Sequence, residues 1–214
     1  MNKICIIFDL DGTLVDSAPS ILSSLKNVFA NANLTACRPL SPDLIGPPLE
    51  DIVQTLLLPK DKYYKEALVS AFKKEYDNAG YKLTRIYQGV PAMLKSLTED
   101  GIPLVLATNK RIIPTSQILA QFGWMVYFKG VFALDSFTPP LLQKADMLIK
   151  LSETLNGQSC IYVGDRVEDA QAAQAAKLPF VMASWGYGDS MNANCQYLKH
   201  PNQLRASTIA KLLQ

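Results

Sequence analysis

Short, continuous apolar runs recur along the chain, separated by stretches in which apolar residues return every three or four positions. The runs Ile4–Phe8, Pro103–Ala107, Gly130–Ala133, Cys160–Val163 and Phe180–Ala183 are rich in β-branched and aromatic residues and predict buried strands. The intervening segments Val90–Thr98, Pro114–Phe122, Leu142–Leu155 and Glu168–Ala176 carry helical periodicity. Strands with no polar alternation, alternating with helices, predict an α/β fold: a doubly wound parallel sheet covered on both faces. One region breaks this rhythm. Between about Ser17 and Lys82 there is no strand pattern, only the helical stretches Ser20–Ala32, Pro48–Leu58 and Tyr63–Ala79. Prolines 39, 42, 47, 48 and 59 interrupt them as breakers. The expected organisation is an α/β core from residues 1–16 and 84–214, with an all-helical cap, 17–83, inserted after the first strand. A last short helix is expected over Asn202–Gln214.

The first strand ends in Asp9-Leu10-Asp11-Gly12-Thr13. Strand side chains alternate, so two carboxylates two residues apart leave the same face if extended geometry persists. Like charges this close repel unless a cation lies between them, and Mg²⁺, a hard ion that prefers oxygen ligands, is the simplest partner. A polar turn after a strand would also use Asp-Gly. Three further segments bear on the choice. Leu104–Ala107 leads into Thr108 and Asn109, which can hydrogen-bond an oxyanion or cap a helix. Lys144 opens a helical segment, where most lysines are solvated. Ile161–Val163 leads into Gly164-Asp165, with Asp169 four residues on, able to join a metal site, to orient Lys144, or simply to favour a helix's first turn.

Bulk properties narrow the partners. The 214 residues are 49% hydrophobic and 19% charged, as in an ordinary globular protein. A net charge of +2 is too mild to suggest nucleic acid or a membrane surface. No apolar run approaches the ~20 residues that span a bilayer, and no targeting segment precedes the first strand. Four cysteines without paired spacing suggest a reduced, cytoplasmic protein. The single histidine, His200, leaves little room for Ser-His-Asp, Cys-His or histidine-rich metal chemistry.

In combination, DxDGT, the strand ending in Thr108, Lys144 about twenty residues before the last motif, and GDxxxD resemble the haloacid dehalogenase superfamily. Leu14–Ser17, Ile45-Gly46-Pro47-Pro48-Leu49, Tyr87–Val90, Thr108-Asn109-Lys110 and Ala183–Gly188 resemble its phosphoglycolate phosphatase and 5′-nucleotidase-like branch, whose helical cap follows the first strand. The resemblance implies a Mg²⁺-dependent phosphatase acting on a small phosphorylated metabolite, with phosphoglycolate the leading substrate. Pyrophosphatase or 5′-nucleotidase activity, or a β-phosphoglucomutase-like transferase, are the alternatives. It implies Asp9 as nucleophile forming an aspartyl-phosphate and Asp11 as acid and base. Asp9, Asp11 through its backbone carbonyl, Asp165 and Asp169 would hold or support the metal. Thr108, Asn109, Lys144 and Gly12 would bind the phosphoryl group, and Gly46, Pro47 and Pro48 would form a specificity loop. A dehalogenase would lack the acid at Asp11. Departures from the branch pattern are Ala145 after Lys144, Gln88 before Gly89, and Lys177. The expected assembly is a monomer or homodimer.

Overall fold

The computed structural model describes residues 4–155, 158–188 and 195–212. Strand β1 (Ile4–Phe8) is followed by the short strand β2 (Val15–Asp16), then by helices α1 (Ala18–Asn31), α2 (Leu49–Leu56) and α3 (Lys65–Asn78). Strand β3 (Arg85–Ile86) returns the chain to helix α4 (Val90–Glu99), strand β4 (Leu104–Thr108), helix α5 (Ile112–Gln121) and strand β5 (Phe128–Ala133). Helix α6 (Lys144–Thr154), strand β6 (Ser159–Gly164), helix α7 (Val167–Ala175), strands β7 (Phe180–Ala183) and β8 (Gln196–Leu198), and helix α8 (Ala206–Leu212) complete it.

The main sheet is parallel, in the order β5-β4-β1-β6-β7-β8. The chain moves outward from β1 through β4 to β5, then crosses back to β6 and proceeds outward on the other side. This is the doubly wound α/β architecture that the alternating pattern predicts. Alternation within each strand divides the core. Ile6, Phe8, Leu104, Leu106, Ile161 and Val163 pack on one face with apolar residues of α4 and α5. Cys5, Ile7, Val105, Ala107, Cys160 and Tyr162 pack on the other with Met147, Leu148 and Leu151 of α6 and Ala172 and Ala173 of α7. Because both faces are covered, the central strands β1, β4 and β6 read as nearly continuous apolar runs.

The helical segment has its own cluster. Leu25, Val28 and Phe29 of α1 meet Ile52, Val53 and Leu56 of α2 and Leu68, Val69 and Phe72 of α3. At its entry and exit, β2 and β3 pair antiparallel, Val15 with Ile86 and Asp16 with Arg85. This two-residue ribbon is too short to leave a periodic signature, and neither it nor β8 is legible in the apolar pattern. Helix α5 starts two residues earlier than expected, because Pro114 is tolerated in a first turn where its missing N–H costs no bond. The expected tail helix spans Ala206–Leu212, and residues 213–214 lie outside the described residues.

Candidate active site

Strands β4, β1 and β6 are neighbours, and the strand order reverses between β1 and β6. Ligand crevices in such sheets form at the carboxyl ends of the strands at that reversal. Pairing of Phe8 with both Leu106 and Val163 aligns these ends. Asp9, Thr108 and Asp165 therefore emerge side by side.

Ile7 belongs to the face packed by α6 and α7, and Asp9, two residues on, reaches Lys144 on that side. Lys144 is the first residue of α6, with Nζ 3.1 Å from Asp9 Oδ1 and 2.6 Å from Asp169 Oδ1. Burial opposes an ammonium here, but the Asp169 and Asp9 carboxylates outweigh it and hold the Lys144 pKa above the ordinary lysine value. The Tyr162 ring lies 5.8 Å from Nζ, and its hydroxyl is 3.3 Å from Asp169 Oδ1. Asp169 Oδ2 accepts the backbone amides of Asp165 (3.2 Å) and Arg166 (3.1 Å), satisfying free donors at the start of α7. Both oxygens of Asp169 are thus engaged, and the residue anchors Lys144.

Burial raises Asp9 to about 6, with Asp169 and Asp11 adding to the effect and Lys144 partly offsetting it. Burial, with Asp169 and Asp9 nearby, also holds Asp165 well above the usual carboxylate range. Ligand oxygens of Asp9, Asp165 and Asp169 lie within 4.8 Å of one another. A Cβ on Gly12 (φ +85°) would come within 2.2 Å of Asp165 Oδ2, and one on Gly186 within 2.3 Å of the Gly12 carbonyl oxygen. Crowded carboxylate oxygens and space that depends on glycine fit a small hard cation. The Gly12 amide donates to the Val15 carbonyl at 2.8 Å, so Gly12 contributes room here, and phosphate would have to displace that bond.

Asp11 does not share Asp9's partners. The strand ends at Phe8, and the amides of Leu14 and Val15 donate to the Leu10 carbonyl, turning the backbone so that Asp11 accepts Lys110 Nζ at 3.1 and 3.2 Å. The expectation of one shared strand face gives way to two carboxylates with separate cations on one cavity. Burial disfavours the Lys110 charge, but the Asp11 carboxylate more than compensates and raises its pKa. Its Nζ also sits 4.8 Å from the Tyr76 ring centroid. Thr108 Oγ1 accepts the Lys110 amide (3.2 Å), while Asn109 Nδ2 donates to the Gly46 carbonyl (3.0 Å). Gly46 and Pro47 line the cavity beside Asp9 and, with Pro48, a wider groove beside Lys144. The structure thus brings together every site residue singled out in the sequence.

Other contributors were not singled out as site residues, although Lys110 and Tyr187 lie in stretches that carry the family resemblance. Lys110 stands directly after Asn109, but its partner Asp11 is 99 positions away. The Tyr187 amide donates to Asp165 Oδ2 (2.8 Å), while its hydroxyl accepts the Ser17 and Ala18 amides (2.7 and 2.9 Å) and donates to Asp16 (2.8 Å). Arg166 donates to the Asp43 carbonyl (3.0 Å), and Arg111 pairs with Asp77. Each of these bonds joins segments distant in sequence, which local spacing does not register.

The profile of the haloacid dehalogenase-like hydrolase family matches residues 6–183. A phosphoglycolate phosphatase of Xanthomonas campestris is 31% identical over 190 residues, covering 85% of this chain and 83% of that protein. The tyrosine-protein kinase PtkA of Mycobacterium tuberculosis is 31% identical over 186 residues, covering 86% of this chain and 62% of that protein. The crystal structure of a predicted phosphatase from Clostridium acetobutylicum superposes with a TM-score of 0.83 at 27% identity, covering 98% of this chain and 99% of that one. The profile match takes in the end of the first strand with Asp9 and Asp11, Thr108, Lys144 and the Asp165–Asp169 segment, and the chain belongs to the haloacid dehalogenase-like hydrolase family.

Proposed function

We propose that the protein is a Mg²⁺-dependent phosphatase that hydrolyses a small phosphomonoester through an aspartyl-phosphate on Asp9. One observation carries the reading: Asp9 pairs with the Lys144 ammonium and clusters with the Asp165 carboxylate, while Asp11, held by Lys110, lines the same cavity as Asp9. Phosphoryl transfer asks for positioning and charge neutralisation more than for covalent work. A carboxylate oxygen of Asp9 attacks phosphorus, and the bond from phosphorus to the alcohol oxygen breaks. Asp11 gives the departing oxygen its proton, then takes one from the water that attacks phosphorus in the acyl phosphate, releasing inorganic phosphate and restoring Asp9. Lys144 balances charge on the phosphoryl oxygens, with Thr108 and Asn109 as hydrogen-bond donors. Asn109 Nδ2 carries two N–H groups, so one can donate to the phosphoryl group while the other stays on the Gly46 carbonyl. Bound Mg²⁺, held by Asp9, the Asp11 carbonyl and Asp165, would neutralise phosphoryl charge so that an anionic nucleophile can approach.

The relatives bring phosphoglycolate to the head of the substrate panel. The test is phosphate release, with Mg²⁺, from phosphoglycolate, pyrophosphate, nucleoside monophosphates, sugar phosphates and p-nitrophenyl phosphate. Wild type should release phosphate from at least one, and Asp9→Asn from none. Release that is equal in the mutant, or absent throughout, overturns the reading. A lasting requirement for a bisphosphate activator would mark a mutase instead.

A further inference from the structure

A cavity of about 70 Å³ runs from Asp9, Asp11 and Thr108 to the underside of the helical segment. Its far wall is apolar: Ile21 of α1, Ile52 of α2, and Phe72 and Tyr76 of α3, with Ile45 and Pro114 beside them. Among the described residues lining it, the cations are Lys110 and Arg111, and both are already engaged. Lys110 is bound to both oxygens of Asp11. The Arg111 guanidinium forks onto Asp77 with bonds of 2.8 and 2.5 Å. The other charged residue on this wall is Glu50, paired with Lys73 at 2.7 Å. The wider groove of about 420 Å³, beside Lys144 and Arg166, also opens onto Asp9, but Asp11 does not line it. A departing alcohol that takes its proton from Asp11 therefore sits in the apolar cavity.

We infer that the alcohol part of the substrate is a short, uncharged, apolar group, and that a carboxylate at this position, as in phosphoglycolate, is disfavoured. This rests on the phosphatase reading above. A second anion in the cavity would be stripped of water, would meet cations already committed to carboxylates, and would face the like charge of Glu50. An alkyl group of the same size would instead exchange water for Ile21, Ile52 and Phe72.

Isobutyl phosphate and phosphoglycolate have leaving groups with the same number of non-hydrogen atoms, so they differ at this position mainly in charge. At saturating Mg²⁺, kcat/KM for isobutyl phosphate should exceed that for phosphoglycolate by about tenfold or more, the size of discrimination a hydrophobic pocket achieves. Leu49→Arg, which places a cation on the cavity wall, should move the ratio towards phosphoglycolate. Glu50→Gln, at a half-exposed position that tolerates the change, should do the same by removing the like charge. Equal or better turnover of phosphoglycolate by wild type overturns the inference and leaves the phosphatase reading intact. A ratio that neither variant moves also overturns it. If no ester, p-nitrophenyl phosphate included, shows release that depends on Asp9, the phosphatase reading fails and the inference fails with it.

Discussion

Asp9 is held where its charge is least welcome, and its titration is a direct readout of the site. Its pKa in the folded protein is about 6, above the ordinary value of 3.8, so folding favours the protonated form. The ionised carboxylate therefore weakens the fold: the penalty is absent below about pH 4, grows through about pH 6 and is complete above it. Asp9→Asn should raise the thermal midpoint at pH 8, by about 1–3 kcal/mol of stability, and should lose that advantage at pH 4. Calorimetric melts at the two pH values check this, and the same variant should lower kcat by on the order of 10⁴-fold or more. Mg²⁺ would select the ionised forms of Asp9 and Asp165, both disfavoured by burial, so its apparent affinity should fall as the pH is lowered, as titration calorimetry at pH 7.5 and 5 would read. Gly12 is constrained by backbone and by space. Gly12→Ala strains φ +85° and drives a methyl into Asp165, and should cost about 1–3 kcal/mol or more by denaturant titration as well as activity.

At the scale of elements, helix starts deliver the site. Lys144 opens α6, Arg111 immediately precedes α5, and Asp169 closes the first turn of α7. Asp169 was legible as a first-turn acid, but its bond to Lys144 spans 25 residues and needed the packing of α6 against α7. The Arg111–Asp77 fork ties α5 to α3, with Gln117 Nε2 also donating to the Asp77 carbonyl at 2.9 Å. Both members of the fork are partly solvated, so it contributes little to global stability, about 1 kcal/mol or less. Its effect should fall on the cavity. Arg111→Gln should leave the thermal midpoint within a few degrees while raising KM several-fold more than it lowers kcat, because the wall carrying Phe72 and Tyr76 is held less firmly. Steady-state kinetics beside a thermal melt separate the two effects.

For the molecule as a whole, separate apolar clusters bracket one polar seam. The sheet is sealed on both faces, and the helical segment has an interior of its own. Leu25 and Ile161 are each fully buried, one in each part. Leu25→Ala and Ile161→Ala should each cost about 2–5 kcal/mol in denaturant titrations. Hydrogen exchange should show the Leu25 variant losing protection first in α1–α3, and the Ile161 variant across the sheet. Among the described residues no helix is long and apolar enough to cross a membrane.

What the sequence determined by itself was whatever depends on near neighbours. Continuous apolar runs such as Ile4–Phe8 specified strands buried on both faces, the proline-broken stretch specified helices after the first strand, and DxDGT with GDxxxD marked the acidic strand ends. Only the tertiary structure decided which charges meet: that Lys144 serves Asp9 and Asp169, that Lys110 serves Asp11, and that Asn109 and Arg166 hold the Gly46 segment over the site. The reason is physical. Backbone patterning is set by neighbours a few residues away, whereas a buried ion pair such as Lys144–Asp9 depends on strand order and helix packing that bring together residues more than a hundred positions apart.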